Sequence, residues 1–293
     1  MMVSGEKSGV ARTEAPGKKK EIRLGGWGVI RYREVGEGAP VVFVHGLLVN
    51  GDLWREVVPV LSGRCIVPDL PLGSHAVPMD PGADLSPPGL ARLVGEFLGA
   101  LDLRDVTLVG NDTGGAICQL VVARHPECVT RLVLTNCDAF ENFLPPLLRP
   151  FQYGARLPGF AFAVAQLLRV APLRRLFIAS VARQTPEPAV LDSYFSPIIR
   201  DPGVRRDVTK VLRGISNRYT LEAARSFPGF HRPVLLVWGE DDFLFPLRFA
   251  ERLRRAFPDA RLERVAGSRA FVPEDKPDRL AGLIGTFLRS GGG

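Results

Sequence analysis

Long apolar runs are missing from this chain of 293 residues. A membrane-spanning helix needs about 20 consecutive apolar residues, and the N-terminus also lacks the apolar core of a secretory signal. A soluble, cytoplasmic protein without a membrane partner is the expectation. Cysteine is sparse. Cys65, Cys118, Cys128 and Cys137 fall in or beside segments that read as core strands and helices, and none forms CxxC. Buried thiols in a reducing compartment are therefore expected in place of disulfides or a zinc site. No basic stripe interleaved with aromatics accompanies the net charge of +7, part of which comes from Lys18, Lys19 and Lys20. That charge reads as a solvated surface, with no nucleic-acid partner. There are no internal repeats, which excludes a solenoid or propeller.

With 46% hydrophobic and 24% charged residues the chain can bury a full core. Residues 1–20 hold hardly an apolar cluster and read as a disordered leader, because burial there cannot repay the entropy of ordering. Glu21–Leu24 and Val29–Val35 flank Gly25-Gly26 as a hairpin. Val41–Val44 is a buried strand ending in His45-Gly46. Asp52 is placed to cap a helix carrying Leu53, Trp54, Val57, Val58 and Leu61. Cys65–Val67 is a strand, Pro71–Gly89 a long loop of the kind that is usually functional, and Leu90–Leu101 a helix. Val106–Val109, Thr113–Arg124 and Leu132–Leu134 continue the alternation of strand and helix. An α/β fold follows, a mostly parallel sheet with helices on both faces.

From 140 to 230 no buried strand occurs. Apolar helical runs such as Phe160–Val170 are punctuated there by prolines, and the segment reads as an inserted helical cap, or lid. The core resumes with a strand at Val234–Trp238, a helix at Pro246–Phe257, a strand at Leu262–Val265 and a helix at Pro277–Leu288, leaving Ser290–Gly293 as a frayed end. The core thus comprises residues 21–139 and 231–290.

The chemistry centres on Val106–Leu120, VTLVGNDTGGAICQL. A β-branched run stops at Gly110 and helical spacing starts near Thr113, which pins Asp112 in a sharp strand-to-helix turn. Gly110-Asn111-Asp112-Thr113-Gly114 has the spacing of a nucleophile elbow, with a carboxylate where the common form has serine. As a plain turn aspartate Asp112 would need no such setting between a buried strand and Thr-Gly-Gly.

His45-Gly46 after a strand, the Gly-x-Asp-x-Gly-Gly elbow, the lid, Gly239-x-x-Asp242 and Phe271-x-x-Glu274-Asp275-x-Pro277 together resemble the α/β-hydrolase superfamily. The resemblance is to the aspartate-nucleophile branch, which includes haloalkane dehalogenases and epoxide hydrolases, and it runs over residues 21–290. It implies an α/β-hydrolase fold, no metal or organic cofactor, a small or medium apolar substrate (an epoxide, alkyl halide, ester or lactone), and a monomer or homodimer. By the same resemblance Asp112 is the nucleophile, and the backbone amides of Leu47 and Thr113 form the oxyanion hole. His45 supports the turn, with Gly46, Gly110 and Gly114 allowing close approach. Asp242 is the acid that orients the base, with Asp138 as the alternative. Tyr153, Tyr194 and Tyr219 are possible cap contacts to the substrate. His75, His125 and His231 have no motif around them and are expected at the surface.

One position departs from the pattern. Glu274 and Pro277 count back to residue 270 as the site of the family's histidine base, and residue 270 is alanine. A carboxylate with a pKa near 4 is ionised at neutral pH and can open an electrophile without a base. Hydrolysis of the resulting ester needs activated water, a step that general-base catalysis accelerates by roughly 10²- to 10⁴-fold. An inactivated hydrolase is the expectation, against a catalytically dead binding protein or a non-hydrolytic lyase or cyclase. Subfamily markers conflict: Thr113 stands where haloalkane dehalogenases usually have Trp and fluoroacetate dehalogenases Arg, Leu47 where many dehalogenases have Asn, and Leu48 where epoxide hydrolases usually have Pro.

Overall fold

The computed structural model describes residues 12–290. Lys18–Leu24 (β1) and Gly28–Val35 (β2) form an antiparallel hairpin. Pro40–Val44 (β3), Arg64–Pro68 (β4), Val106–Asp112 (β5) and Val129–Cys137 (β6) follow, with Pro87–Ala100 (α1) before β5 and Thr113–Arg124 (α2) after it. Six helices lie between β6 and the next strand: α3 (Arg149–Gly154), α4 (Phe160–Leu167), α5 (Ala171–Val181), α6 (Pro188–Arg200), α7 (Pro202–Gly214) and α8 (Asn217–Ala224). The chain then closes with β7 (Val234–Gly239), α9 (Leu247–Ala256), β8 (Ala260–Val265), α10 (Val272–Asp275) and α11 (Pro277–Arg289).

The strands make one sheet in the order β1-β2-β4-β3-β5-β6-β7-β8. Only the pairs β1·β2 and β2·β4 are antiparallel. All seven residues of β5 are buried, as a central strand covered on both faces requires. That strand delivers Asp112 to the C-terminal edge of the sheet, where open α/β sheets bind ligands.

Three local expectations need correction. β1 begins at Lys18, within the stretch read as a disordered leader, and Ala15 is buried with its amide donating to Asp52 Oδ1 at 2.8 Å. This edge strand has no apolar alternation; main-chain pairing and the ion pair from Lys20 to Glu34 hold it, and lysines on an edge strand also discourage further pairing. Residues 1–11 and 291–293, where the rest of the leader and most of the frayed end fall, lie outside the described residues. The helix after Asp52 is two short 3₁₀ turns, Gly51–Trp54 and Val58–Val60. Asn50 caps the first of them, because Asp52 is engaged by Ala15 and by Arg33 at 3.1 Å.

His75, expected at the surface, is buried. Its Nε2 lies 3.3 Å from Asp207 Oδ2, and the same carboxylate oxygen accepts from Met79 N at 2.7 Å. The long loop after β4 is thereby fastened to α7. His125 is half-buried and His231 exposed. Cys65, Cys118 and Cys137 are buried free thiols, and Cys128 is half-buried.

The six-helix insert is tied to the sheet domain through a buried charge cluster. Arg55 forms two 2.7 Å bonds to Glu274, and Tyr194 of α6 donates to Glu274 Oε1 at 2.6 Å. Deleting one partner of such a cluster strands the other charge in a dry interior. Arg55→Ala should lower the unfolding free energy by about 3–5 kcal/mol, measured by urea denaturation; a loss under about 1 kcal/mol would show that water reaches Glu274.

Candidate active site

Asp112 sits at the turn between β5 and α2 with φ 55° and ψ −131°, a conformation that L residues adopt only under constraint. Crowding supplies the constraint. A Cβ on Gly114 would lie 2.3 Å from the carbonyl oxygen of His45, and one on Gly46 would lie 2.5 Å from Cβ of Asp112. The β3 turn and the elbow therefore touch backbone to backbone. That approach brings the amide of Leu47 to 3.2 Å from Asp112 Oδ1, and the amide of Thr113 donates to the same oxygen. The other oxygen, Oδ2, accepts no hydrogen bond among the described residues.

His45 holds the β3 turn from inside. Its Nδ1 lies 2.9 Å from the carbonyl oxygen of Gly46, and its Nε2 accepts from the amide of Leu70 at 2.8 Å. Accepting at Nε2 requires the neutral ring, and burial lowers its pKa to about 4. Both ring nitrogens are thus engaged with backbone.

The two candidate acids differ in their surroundings. Asp242 accepts from Asn136 Nδ2 at 2.7 Å and from the amide of Leu244 at 2.8 Å. Burial nevertheless raises its pKa to about 6. Asp138 is fully buried: Oδ2 accepts from the Thr113 hydroxyl at 3.2 Å, while Oδ1 has no partner. Burial, then the nearby Asp112 carboxylate, push its pKa well above its ordinary value. Burial also raises the pKa of Asp112, against the pull of its two amide donors.

Ala270 is fully buried beside the elbow, where its carbonyl oxygen accepts from Asn111 Nδ2 at 2.8 Å. The loop around it is locked to the insert. Phe271 N donates to the carbonyl of Val181 at 2.8 Å, and Asp275 accepts from the amides of Arg183, Gln184 and Arg269 at 2.7–2.9 Å. Asn111 and Asn136, which link Asp112, Asp242 and residue 270, carried no signal in the sequence beyond their adjacency to the elbow and to Asp138.

Above Asp112 and Asp138 lies a cavity of about 480 Å³. Its other walls are almost wholly hydrocarbon, among them Leu48, Leu144, Phe151, Phe177, Phe245 and Phe271. No tyrosine lines it, which corrects the expected cap contacts. Tyr153 projects to solvent, Tyr194 is spent on Glu274, and Tyr219 faces a separate cleft between α2 and α8. No tryptophan or asparagine lines the cavity either. Among the described residues no three His, Cys, Asp or Glu side chains are grouped to hold a metal ion.

Comparison with known proteins identifies the fold family. The sequence model for the alpha/beta hydrolase fold matches residues 39–277. Haloalkane dehalogenase 2 of Mycobacterium tuberculosis is 30% identical over 268 residues, covering 88% of this chain and 90% of the relative. A cis-3-alkyl-4-alkyloxetan-2-one decarboxylase of Shewanella oneidensis is 30% identical over 278 residues, covering 88% and 85%. In structure, the haloalkane dehalogenase DatA of Agrobacterium tumefaciens superposes with a TM-score of 0.78 at 24% identity, covering 93% of this chain and 96% of the other.

The raised pKa of Asp242 makes a signed prediction. Asp242 titrates near 3.8 in the unfolded chain and near 6 in the folded one, so the folded protein binds the extra proton between those values. The stability that this proton supplies is present below about pH 4 and is lost as pH rises through 6. Between pH 4 and 7 the protein should lose on the order of 2 kcal/mol relative to Asp242→Asn, read from urea titrations at each pH. A constant difference between the two proteins across that range contradicts the shift.

Proposed function

The chain belongs to the α/β-hydrolase fold family and is an enzyme of that superfamily, and from that premise we propose that Asp112 is its nucleophile, attacking an apolar electrophile whose leaving group is oxygen. The observation that carries the proposal is the division of labour in the Asp112 carboxylate. Oδ1 is held by two backbone amides, and Oδ2 is left to attack at the floor of the cavity. The amides of Leu47 and Thr113 then serve as the oxyanion hole when the ester carbonyl later becomes tetrahedral.

Oxygen is favoured over halide by what surrounds the nucleophile. A departing halide needs N–H donors, and neither Trp nor Asn lines the cavity. A departing alkoxide or carboxylate needs a proton or a neutral donor, and the buried Asp138 carboxyl, with Oδ1 unpartnered and its pKa raised by burial and by Asp112, is the group placed to supply one. With an epoxide, Oδ2 bonds to a ring carbon, the C–O bond breaks, and Asp138 protonates the alkoxide. The inserted helices act as the cap that excludes water from this step.

Completion by hydrolysis calls for a base, and Ala270 has none to offer, so the ester should accumulate. The Shewanella relative suggests a second outcome that needs no base. With a 3,4-dialkyl oxetan-2-one, Oδ2 attacks C4 and the ring oxygen leaves as carboxylate. Loss of CO₂ then turns the C2–C3 bonding pair into a C3–C4 double bond and expels Asp112. No water is consumed, so the absence of histidine costs such a reaction nothing.

Intact-protein mass spectrometry separates these outcomes. An alkyl epoxide should add its own mass to the peptide containing Asp112, and Asp112→Asn should abolish the adduct while melting at the same temperature. Ala270→His should shorten the adduct lifetime by roughly 10²- to 10⁴-fold. A dialkyl oxetan-2-one should yield alkene and CO₂ without a lasting adduct if the lyase route operates. No adduct and no product from either class would remove Asp112 as nucleophile.

A further inference from the structure

Residues 142–186 contain six arginines and no lysine, aspartate or glutamate. Nearly all of the chain's net charge of +7 is therefore concentrated in one sixth of its length. Two of the six find acids elsewhere, Arg174 at Asp192 and Arg183 at Asp241. Arg149, Arg156, Arg169 and Arg175 are exposed and have no carboxylate partner among the described residues.

The same segment exposes hydrocarbon. Leu147, Leu157, Phe162, Leu167 and Leu176 are each more than half exposed. α4 is apolar at seven of its eight positions, FAFAVAQL, yet only Ala165 is buried. A helix apolar on all sides is ordinarily enclosed, and a contiguous exposed apolar patch marks an interaction surface.

Leu147, Leu167 and Leu176 also line the cavity above Asp112, so this face forms the rim through which the cavity opens. We propose that this arginine-rich, apolar segment docks on an anionic lipid bilayer, so that the cavity draws its apolar substrate from the lipid. Interfacial helices combine these two features, apolar side chains entering the acyl boundary and cations meeting the headgroups. A second copy of the chain would bring like charge against like. The absence of a long apolar run leaves such peripheral binding open, since no helix among the described residues is long and apolar enough to cross a membrane.

Docking is independent of the Asp112 chemistry and is read by vesicle co-sedimentation of the full chain. The protein should pellet with phosphatidylcholine vesicles containing about one third phosphatidylserine and remain in solution with phosphatidylcholine alone. Arg169→Gln with Arg175→Gln should weaken partitioning about 30-fold. Leu157→Ser with Phe162→Ser, positions outside the cavity wall, should weaken it at least about tenfold with unchanged circular dichroism and melting temperature. Absence of pelleting, equal binding to neutral vesicles, or indifference to either pair of substitutions overturns the proposal. So does a dimer in sedimentation velocity that the Leu157 and Phe162 substitutions dissolve.

Discussion

The contact between two backbones at the top of the sheet is what the rest of the site depends on. β3 and β5 are parallel neighbours, and their turns converge until Gly46 meets Asp112 and Gly114 meets the carbonyls of Val44 and His45. Side chains at those glycines would collide with Asp112 and with the carbonyls of Val44 and His45 and force the turns apart. Only at this separation can the amides of Leu47 and Thr113 both reach Oδ1 of Asp112. The positive φ of Asp112 is stabilised by that packing, and His45, neutral and bonded at both nitrogens to backbone, keeps the first turn in place.

Burial sets the electrostatics around that contact. Three carboxyl groups, Asp112, Asp138 and Asp242, share a region that water hardly enters, and all three titrate above their ordinary values. The amides favour the anion on Asp112, whereas Asp138 has a hydroxyl donor on one oxygen and nothing on the other. Their environments therefore push the proton toward Asp138 and away from Asp112, which is how neighbouring acids come to play different chemical parts. A histidine at 270 would add a base to this group, and alanine adds none.

Much of this was legible in the sequence because it is written in local patterns. β-branched runs gave the strands, the glycine spacing gave the elbow, and the motif order from His45 to Pro277 gave the family. Features fixed by contacts between distant segments were not legible. β1 is an edge strand whose charged residues show no periodicity, so its pairing with β2 has no local signature. The 3₁₀ turns after Asn50 carry the apolar spacing of a helix, but Asp52 is drawn away to Ala15 and Arg33. His75 looked isolated because its partner, Asp207, lies 132 residues away. The tyrosines offered as substrate contacts belong to helices whose orientation only packing decides, and packing turned each of them elsewhere. The unpartnered Oδ1 of Asp138 likewise had no trace in a residue that sequence ranked as a substitute for Asp242.

The central claim is that Oδ2 of Asp112 forms a bond to carbon while Oδ1 remains on the Leu47 and Thr113 amides. A crystal structure of the protein soaked with a reactive long-chain epoxide tests it most directly. Continuous density from Oδ2 to a substrate carbon, with the hydrocarbon along Phe177 and Phe271 and the new hydroxyl beside Asp138, is the predicted result. Density bonded to any other side chain, or an intact epoxide lying in the cavity with Asp112 unmodified after prolonged soaking, would contradict it.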